Sequence, residues 1–165
     1  MNILHGFSDN KYEFLSNFYA CQIRYPNYYD PDGTILYPTV EHAFQAAKAT
    51  NFEDMKFVAA AATPGEAKRR GRKVTLRGDW EEVKDQIMLD LLRIKFQNED
   101  MRERMLATID DGVDVFCEDN WWHDNYWGTC NCPKCQHIFG QNKLGLLLMQ
   151  VRAELVQKAS TQENI

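Results

Sequence analysis

A carboxylate, an amide and an amine occur at Glu41, Gln45 and Lys48, within the run Tyr37-Pro38-Thr39-Val40-Glu41-His42-Ala43-Phe44-Gln45-Ala46-Ala47-Lys48. On a helix turning about 100° per residue, the three fall within a sector of roughly 60°. Val40, Ala43, Phe44 and Ala47 fill the neighbouring sector, so the polar stripe borders a buried face instead of standing opposite it. A carboxylate there suits proton transfer or the stabilisation of developing positive charge. An amine bordering the same face can lose its charge to desolvation and become nucleophilic. The plainer alternative is a surface ion pair, which needs a separation of three or four residues. Here the separation is seven, about 10 Å along a helix axis, so both groups reach more easily toward a shared polar ligand than toward each other.

Three further stretches hold candidate chemistry. Lys68, Arg69, Arg70, Arg72, Lys73 and Arg77 place six cations within fifteen residues of an acidic chain; they form either a solvated face or a cradle for phosphates. In Phe14-Leu15-Ser16-Asn17-Phe18-Tyr19, Ser16 and Asn17 sit between large aromatics, where polar side chains either cap a turn or face a ligand. Asn120-Trp121-Trp122-His123-Asp124-Asn125-Tyr126-Trp127-Gly128 packs three tryptophans into seven residues, either as pocket lining for a planar ring or as a local aromatic cluster. Beyond it, Cys130-Asn131-Cys132-Pro133-Lys134-Cys135-Gln136-His137 has the spacing of a zinc knuckle, with Cys130, Cys132, Cys135 and His137 as ligands of a structural zinc. Unliganded thiols in a loop are the competing state.

The elements that must position these groups follow from periodicity and punctuation. Ala20 to Tyr25 and Thr34 to Tyr37 read as paired strands around the Asp30-Pro31-Asp32-Gly33 turn. A helix opens at Thr39 as N-cap and is expected to end near Thr50-Asn51, followed by a second from about Glu53 to Ala62. Thr63-Pro64-Gly65-Glu66 is a capping box with proline at N1 and starts the short basic helix. Asp79 stands as N-cap of a core-forming helix whose stripe is Val83, Ile87, Leu91 and Ile94, widened by Met88 and Leu92. Met101 to Ala107 reads as helix and Val113 to Glu118 as strand. Asn142 reads as the N-cap of a final helix reaching about Gln157, with a polar, frayed tail over 158–165.

The bulk numbers agree with one such domain. A chain of 165 residues, 44% hydrophobic and 26% charged, is large enough for a single core, here expected over 1–157. The net charge of −5 argues against broad non-specific nucleic-acid binding while leaving local basic patches open. No apolar run approaches a membrane span, and no signal-peptide pattern opens the chain. Three of the five cysteines crowd between Cys130 and Cys135, unlike a secreted disulfide framework, so a reduced, cytoplasmic setting without membrane contact is expected. Walker, Rossmann and nucleophile-elbow patterns are missing from the sequence.

Taken together, the motifs resemble the NADAR (NAD and ADP-ribose related, YbiA-like) superfamily. The run Tyr37 to Lys48 is similar to its central motif, Phe14-Leu15-Ser16-Asn17-Phe18 to its N-terminal one and Thr63 to Arg72 to its basic segment. Leu76, Arg77 and Trp80 follow in order, and Tyr126-Trp127-Gly128 and Asn142-Lys143-Leu144-Gly145 resemble the closing motifs. The resemblance spans about residue 7 to residue 155. It implies a compact, largely helical α+β domain with a few short strands. It also implies an N-glycosidase that needs no cofactor for catalysis and acts on phosphorylated riboflavin-pathway intermediates or on ADP-ribose joined to guanine in DNA or RNA. By the same resemblance Glu41 is the catalytic carboxylate and Lys48 its helper, able to form a Schiff base with an opened ribose. Ser16, Asn17, Phe18, Gln45, Lys68, Arg69, Arg72, Asp124, Trp127, Gly128 and Asn142 would bind substrate. Where some relatives carry an acidic, glycine-rich loop after Trp-Gly, this chain has Thr129 and the cysteine cluster. The alternative reading is a non-catalytic ADP-ribose or NAD-binding module using the same cations and indoles.

Overall fold

The structure, a computed structural model, describes residues 1–164. These form six α-helices and six short strands, an α+β chain. Contacts divide it into two units, Asn17–Lys95 and the pair of segments Met1–Ser16 with Phe96–Ile165. No helix among the described residues is long and apolar enough to cross a membrane.

In the Asn17–Lys95 unit, β1 being reserved for Ile3–His5 of the other unit, β2 (Ile23–Arg24) pairs antiparallel with β3 (Leu36–Tyr37), Ile23 opposite Tyr37. The intervening turn is organised by Asp30, whose carboxylate accepts from the Thr34 and Ile35 N–H groups and the Thr34 hydroxyl. Burial alone would raise the pKa of that carboxyl, but these bonds hold it below the usual range. The strands are shorter than expected, though the hairpin and its turn stand where the sequence puts them.

Helix α1 (Val40–Ala46) is buried along its whole length. Thr39 caps it by accepting from the His42 N–H. His42 then locks the cap: its Nδ1 lies 2.8 Å from the Thr39 Oγ1 and its Nε2 3.0 Å from the Ala61 carbonyl. One tautomer, protonated on Nε2 and accepting on Nδ1, satisfies every partner. Around α1 pack α2 (Phe52–Ala59), α3 (Pro64–Gly71) and α4 (Trp80–Lys95).

The expected run of α1 to Thr50-Asn51 is corrected: it stops at Ala46. Asn51 is needed as the cap of α2, where its Oδ1 accepts from the Asp54 N–H, and a cap residue cannot also be helical. The last carbonyls of α1 are met by the turn that follows, Gln45 O by the Lys48 N–H and Ala46 O by the Ala49 N–H, while Arg77 holds that turn by donating its N–H to Lys48 O and its guanidinium to Ala47 O. The α3 box differs slightly from the usual form. Thr63 accepts from the Glu66 N–H, while the Glu66 carboxylate reaches back to the Ala62 N–H.

Helix α4 buries Ile87, Met88, Leu91 and Leu92 as its periodicity requires, and with them Lys95, which is wholly buried. Its ammonium lies 5.8 Å from the Tyr19 ring centre. Burial brings its pKa down from 10.5 to about 7, against a smaller opposing pull from Cys21. The unfolded lysine keeps its proton to near its ordinary value and the folded one releases it near 7, so between the two the unfolded chain binds more protons. Stability should therefore rise with pH across that window, by up to about 1.4 kcal/mol per pH unit. Urea unfolding at about pH 7 and about pH 9 should show that rise, and Lys95→Met, which removes the buried titrating group, should be flat across it and no less stable than the parent near neutrality. A parallel rise in both proteins would assign it elsewhere.

In the other unit, β1 (Ile3–His5) pairs in parallel with β4 (Val115–Cys117), Ile3 opposite Val115. Helix α5 (Glu99–Asp110) begins at an Asn98 cap and runs beyond the expected Met101–Ala107. β5 (Asp119–Asn120) pairs in parallel with β6 (Thr129–Cys130), and α6 (Lys143–Glu163) packs on β4. Arg152 of α6 ties the unit together, donating to the Thr108 hydroxyl and to the carbonyls of Val113 and Asp114. The frayed tail expected after Gln157 is corrected as far as Glu163, where α6 continues with Ser160 and Thr161 hydroxyls bonded to carbonyls one turn back; Ile165 lies outside the described residues.

Candidate active site

Two members of the expected stripe, Glu41 and Gln45, lie on α1 and are buried. Glu41 is 8% exposed and Gln45 4%. The Gln45 Nε2 donates to the Glu41 Oε1 at 2.8 Å, and the Glu41 N–H donates to the Asn17 carbonyl. Lys48 follows in the turn after the helix, half-buried, with its Nζ 5.7 Å from the Trp80 ring centre. Trp80 in turn packs at 5.0 Å against Phe44 of α1.

Burial pushes the Lys48 ammonium pKa below its ordinary value. The Glu41 charge pulls the other way, and the positive charges of Lys68, Arg72 and Lys84 push it down further. An amine among three cations in a partly dry setting keeps its proton poorly, which is how lysine nucleophiles are made.

What brings Lys68 and Arg72 close is the approach of α3 to α1. Ala67 and Gly71, one turn apart, form the buried stripe of α3, so Lys68 and Arg72 border it on one side. Arg69, exposed, lies about 100° further round. A Cβ on Gly71 would stand 2.2 Å from the Gln45 Oε1 and 3.0 Å from its Cβ. Gly71→Ala should therefore move Gln45 off Glu41, costing about 1–3 kcal/mol as an overpacked site does, and lower turnover with it. Gly78→Ala, with nothing within 4 Å of its new Cβ, is the control; equal thermal shifts in the two variants would contradict the close approach.

Not every cation of the patch is free for a ligand. Arg70 pairs with Glu66 and donates to the Phe57 carbonyl. Arg77 pairs with Asp79 and donates to the carbonyls of the turn after α1. Lys84 and the wall of Trp80 were not legible as site residues, since only the packing of α4 on α1 brings them there.

The remaining candidates are placed as follows. Asn17 is buried, its Nδ2 3.5 Å from the Met88 sulfur and its Oδ1 without a hydrogen bond among the described residues; the Gln45 Oε1 is likewise without one. Phe18 is 47% exposed, and Ser16, in the other unit, closes a 3-10 turn at Glu13–Leu15. In that same unit the Asp124 Oδ1 accepts from the Tyr126 and Trp127 N–H groups. Gly128 lies so close to β5 that a Cβ would stand 2.1 Å from the Glu118 carbonyl. Asn142 occupies the N-cap position of α6 in the left-handed region, φ 49°, but makes no side-chain cap. Its amide bridges the Phe116 carbonyl and the Glu118 N–H. The first N–H groups of α6 are satisfied instead by the carbonyls of Tyr126, Trp127 and Gly128. Trp121 and Trp122 stand 66% and 61% exposed.

His137 as fourth ligand of the cysteine cluster is corrected. The 3-10 turn Pro133–Cys135 is extended by the Ile138 N–H bonding the Cys135 carbonyl, which leaves His137 exposed. His123 takes the position: its ring nitrogen and the sulfurs of Cys130, Cys132 and Cys135 all lie within 4.8 Å of one another. A second grouping, His5, Cys117 and Asp119, is accounted for by hydrogen bonds to the Asp119 carboxylate at 2.9 and 3.0 Å. In the Asn17–Lys95 unit a cavity of about 680 Å³, lined by Tyr25, Tyr29, Ala47, Arg77 and Ile87 among others, includes none of Glu41, Gln45 or Lys48.

The α+β chain thus carries, in its Asn17–Lys95 unit, a buried carboxylate-bearing helix followed by a half-buried lysine whose ammonium form burial disfavours. The chain belongs to the NADAR domain family, whose model matches residues 5–156. It is 35% identical over 151 residues to the N-glycosidase YbiA of Escherichia coli (strain K12), covering 90% of this chain and 84% of that protein. The solution structure of E. coli YbiA superposes with a TM-score of 0.75 at 34% identity, covering 96% of this chain and 87% of the other. The N-glycosidase Npun_R5314 of Nostoc punctiforme is 42% identical over 123 residues, 71% of this chain and 73% of that one. The riboflavin biosynthesis protein VVA0006 of Vibrio vulnificus is 31% identical over 154 residues, 92% of this chain but 38% of that longer protein.

Proposed function

We infer that this chain is an N-glycosidase that splits the C1′–N bond of a phosphorylated ribosyl compound, with Glu41 as catalytic carboxylate and Lys48 as nucleophilic amine. The observation that carries the reading is the buried Glu41–Gln45 pair beside an amine whose charged form is disfavoured. The activity named for the E. coli and Nostoc relatives supports the reaction class.

The chemistry follows from those groups. As the C1′–N bond breaks, its electron pair stays with the base nitrogen, which takes a proton from water, and positive charge spreads over C1′ and O4′. A carboxylate held in place by an amide stabilises that charge without reorganising. The neutral Lys48 nitrogen bonds to C1′. The C1′–O4′ bond then opens, O4′ takes a proton from that nitrogen, and a protonated imine remains. Water adds to the imine carbon, releasing the sugar aldehyde and the free amine. Lys68 and Arg72 hold phosphate oxygens and fix the sugar against the amine. The unpartnered Asn17 and Gln45 oxygens accept from sugar hydroxyls. A reducing, cytoplasmic setting fits the five free cysteines.

Two substrates share the required ribosyl phosphate: ADP-ribose on guanine in DNA or RNA, and phosphoribosylamino-pyrimidine of riboflavin synthesis. Offered side by side to the purified protein, at least one should release its base. Tight ADP-ribose binding with no base released from either would instead make the chain a non-catalytic reader.

A further inference from the structure

We propose that His123, Cys130, Cys132 and Cys135 form a structural zinc site that clamps the two ends of the segment carrying Asp124, Trp127 and Gly128. The His123 Nδ1 lies 3.3 Å from the Cys132 sulfur, 3.3 Å from Cys135 and 3.9 Å from Cys130. A tetrahedral zinc with Zn–S of about 2.3 Å and Zn–N of about 2.0–2.1 Å sets N···S edges of about 3.6 Å and S···S edges of about 3.8 Å. The three N···S distances already stand near that edge, and all four donor atoms lie within 4.8 Å of one another.

The competing account is a small apolar cluster, since all three sulfurs are buried. It fails on the imidazole. A neutral ring nitrogen takes part in one hydrogen bond, as donor or acceptor, yet three sulfurs converge on this one. A cation among the four donors lets every lone pair point to the same place.

Asn125, within the clamped segment, accepts from the Cys130 N–H through its Oδ1 at 3.0 Å. Such a bond fixes the backbone that presents a metal ligand. The Cys132–Cys135 turn, closed by the Cys135 N–H on the Cys132 carbonyl, presents two sulfurs to one point. His123, at φ 71°, turns its ring back from the far side of the loop. Because the donor set is three thiolates and one imidazole, zinc is the fitting divalent ion, and the closed set makes the site structural.

The test uses the full chain, produced under reducing conditions without chelators. Metal analysis should return one zinc per chain. After removal of zinc, cobalt(II) should give thiolate-to-cobalt charge-transfer absorption and the intense visible bands of a tetrahedral site. Cys130, Cys132 and Cys135 should resist alkylation until a strong chelator is added. His137→Ala should keep both metal and spectrum, whereas His123→Ala should lose zinc to a competing chelator and change the cobalt bands. Should His123→Ala fail to fold, the cobalt spectrum and chelator-dependent alkylation of the unaltered protein decide alone. Protein without stoichiometric zinc that also binds no cobalt overturns the site. A His123→Ala spectrum equal to the parent's overturns His123 as ligand.

Discussion

Replacing Glu41 with glutamine should lower turnover by at least about a hundredfold while product still binds, the scale of loss expected when one acid–base or electrostatic group is removed. The substitution is nearly isosteric, and Gln45, whose Nε2 now donates to the Glu41 Oε1 at 2.8 Å, can keep a bond to the amide carbonyl. Packing around α1 is thus preserved, and what disappears is the negative charge. Base release followed beside calorimetric titration with the product separates the two effects. Unaltered turnover would remove Glu41 from the mechanism, and equal losses of binding and turnover would make its role structural.

A comparable loss is expected at Lys48, and its pattern identifies the role. Lys48→Met should remove activity to a similar degree, and Lys48→Arg should not restore it, because a guanidinium does not give up its proton in a protein. Wild-type turnover should rise with pH through the depressed Lys48 pKa, as the neutral amine replaces the ammonium below the ordinary lysine range. The residual rate of Lys48→Met should lack that limb. Borohydride added during turnover should trap the imine as a stable adduct on Lys48 in the parent and in neither variant. Full rescue by arginine would mean that positive charge, not nucleophilicity, is what the position supplies. The stability linked to the same group has its own sign: the native state resists protonation of Lys48, so its contribution grows as pH rises through the folded pKa toward the unfolded one.

The Glu41–Gln45 stripe was legible because helical periodicity alone places both beside the apolar sector, and α1 is buried as that pattern demands. The hairpin around Asp30 and the cap at Thr63 were legible for the same reason, being local. Lys48 was expected on the same helix and instead follows it in the turn. The end of α1 is decided by competition with the next helix for Asn51 and by Arg77, thirty residues away in sequence from Ala47. Cation spacing could not say which arginines were already engaged: Arg70 and Arg77 serve carbonyls and carboxylates of their own unit, and only packing shows it. Cysteine spacing likewise brings three sulfurs together but does not show which histidine stands beside them, because His123 arrives through a left-handed turn with no periodic trace. Lys95 had no part in the stripe read for α4, and only the packing of that helix shows it wholly buried.

The parallel pairing of β1 with β4, Ile3 against Val115, bears on how the chain comes off the ribosome. Each edge of that two-stranded sheet is made at a different time, and the first must wait for more than half of the polypeptide to be translated before its partner exists. Asn17–Lys95, by contrast, is uninterrupted and has all its own partners in hand once Lys95 has emerged. Vectorial synthesis therefore favours the segment with Glu41 and Lys48 assembling first, while the nascent strand Ile3–His5, three residues long, is short enough to stay unpaired without templating aggregation.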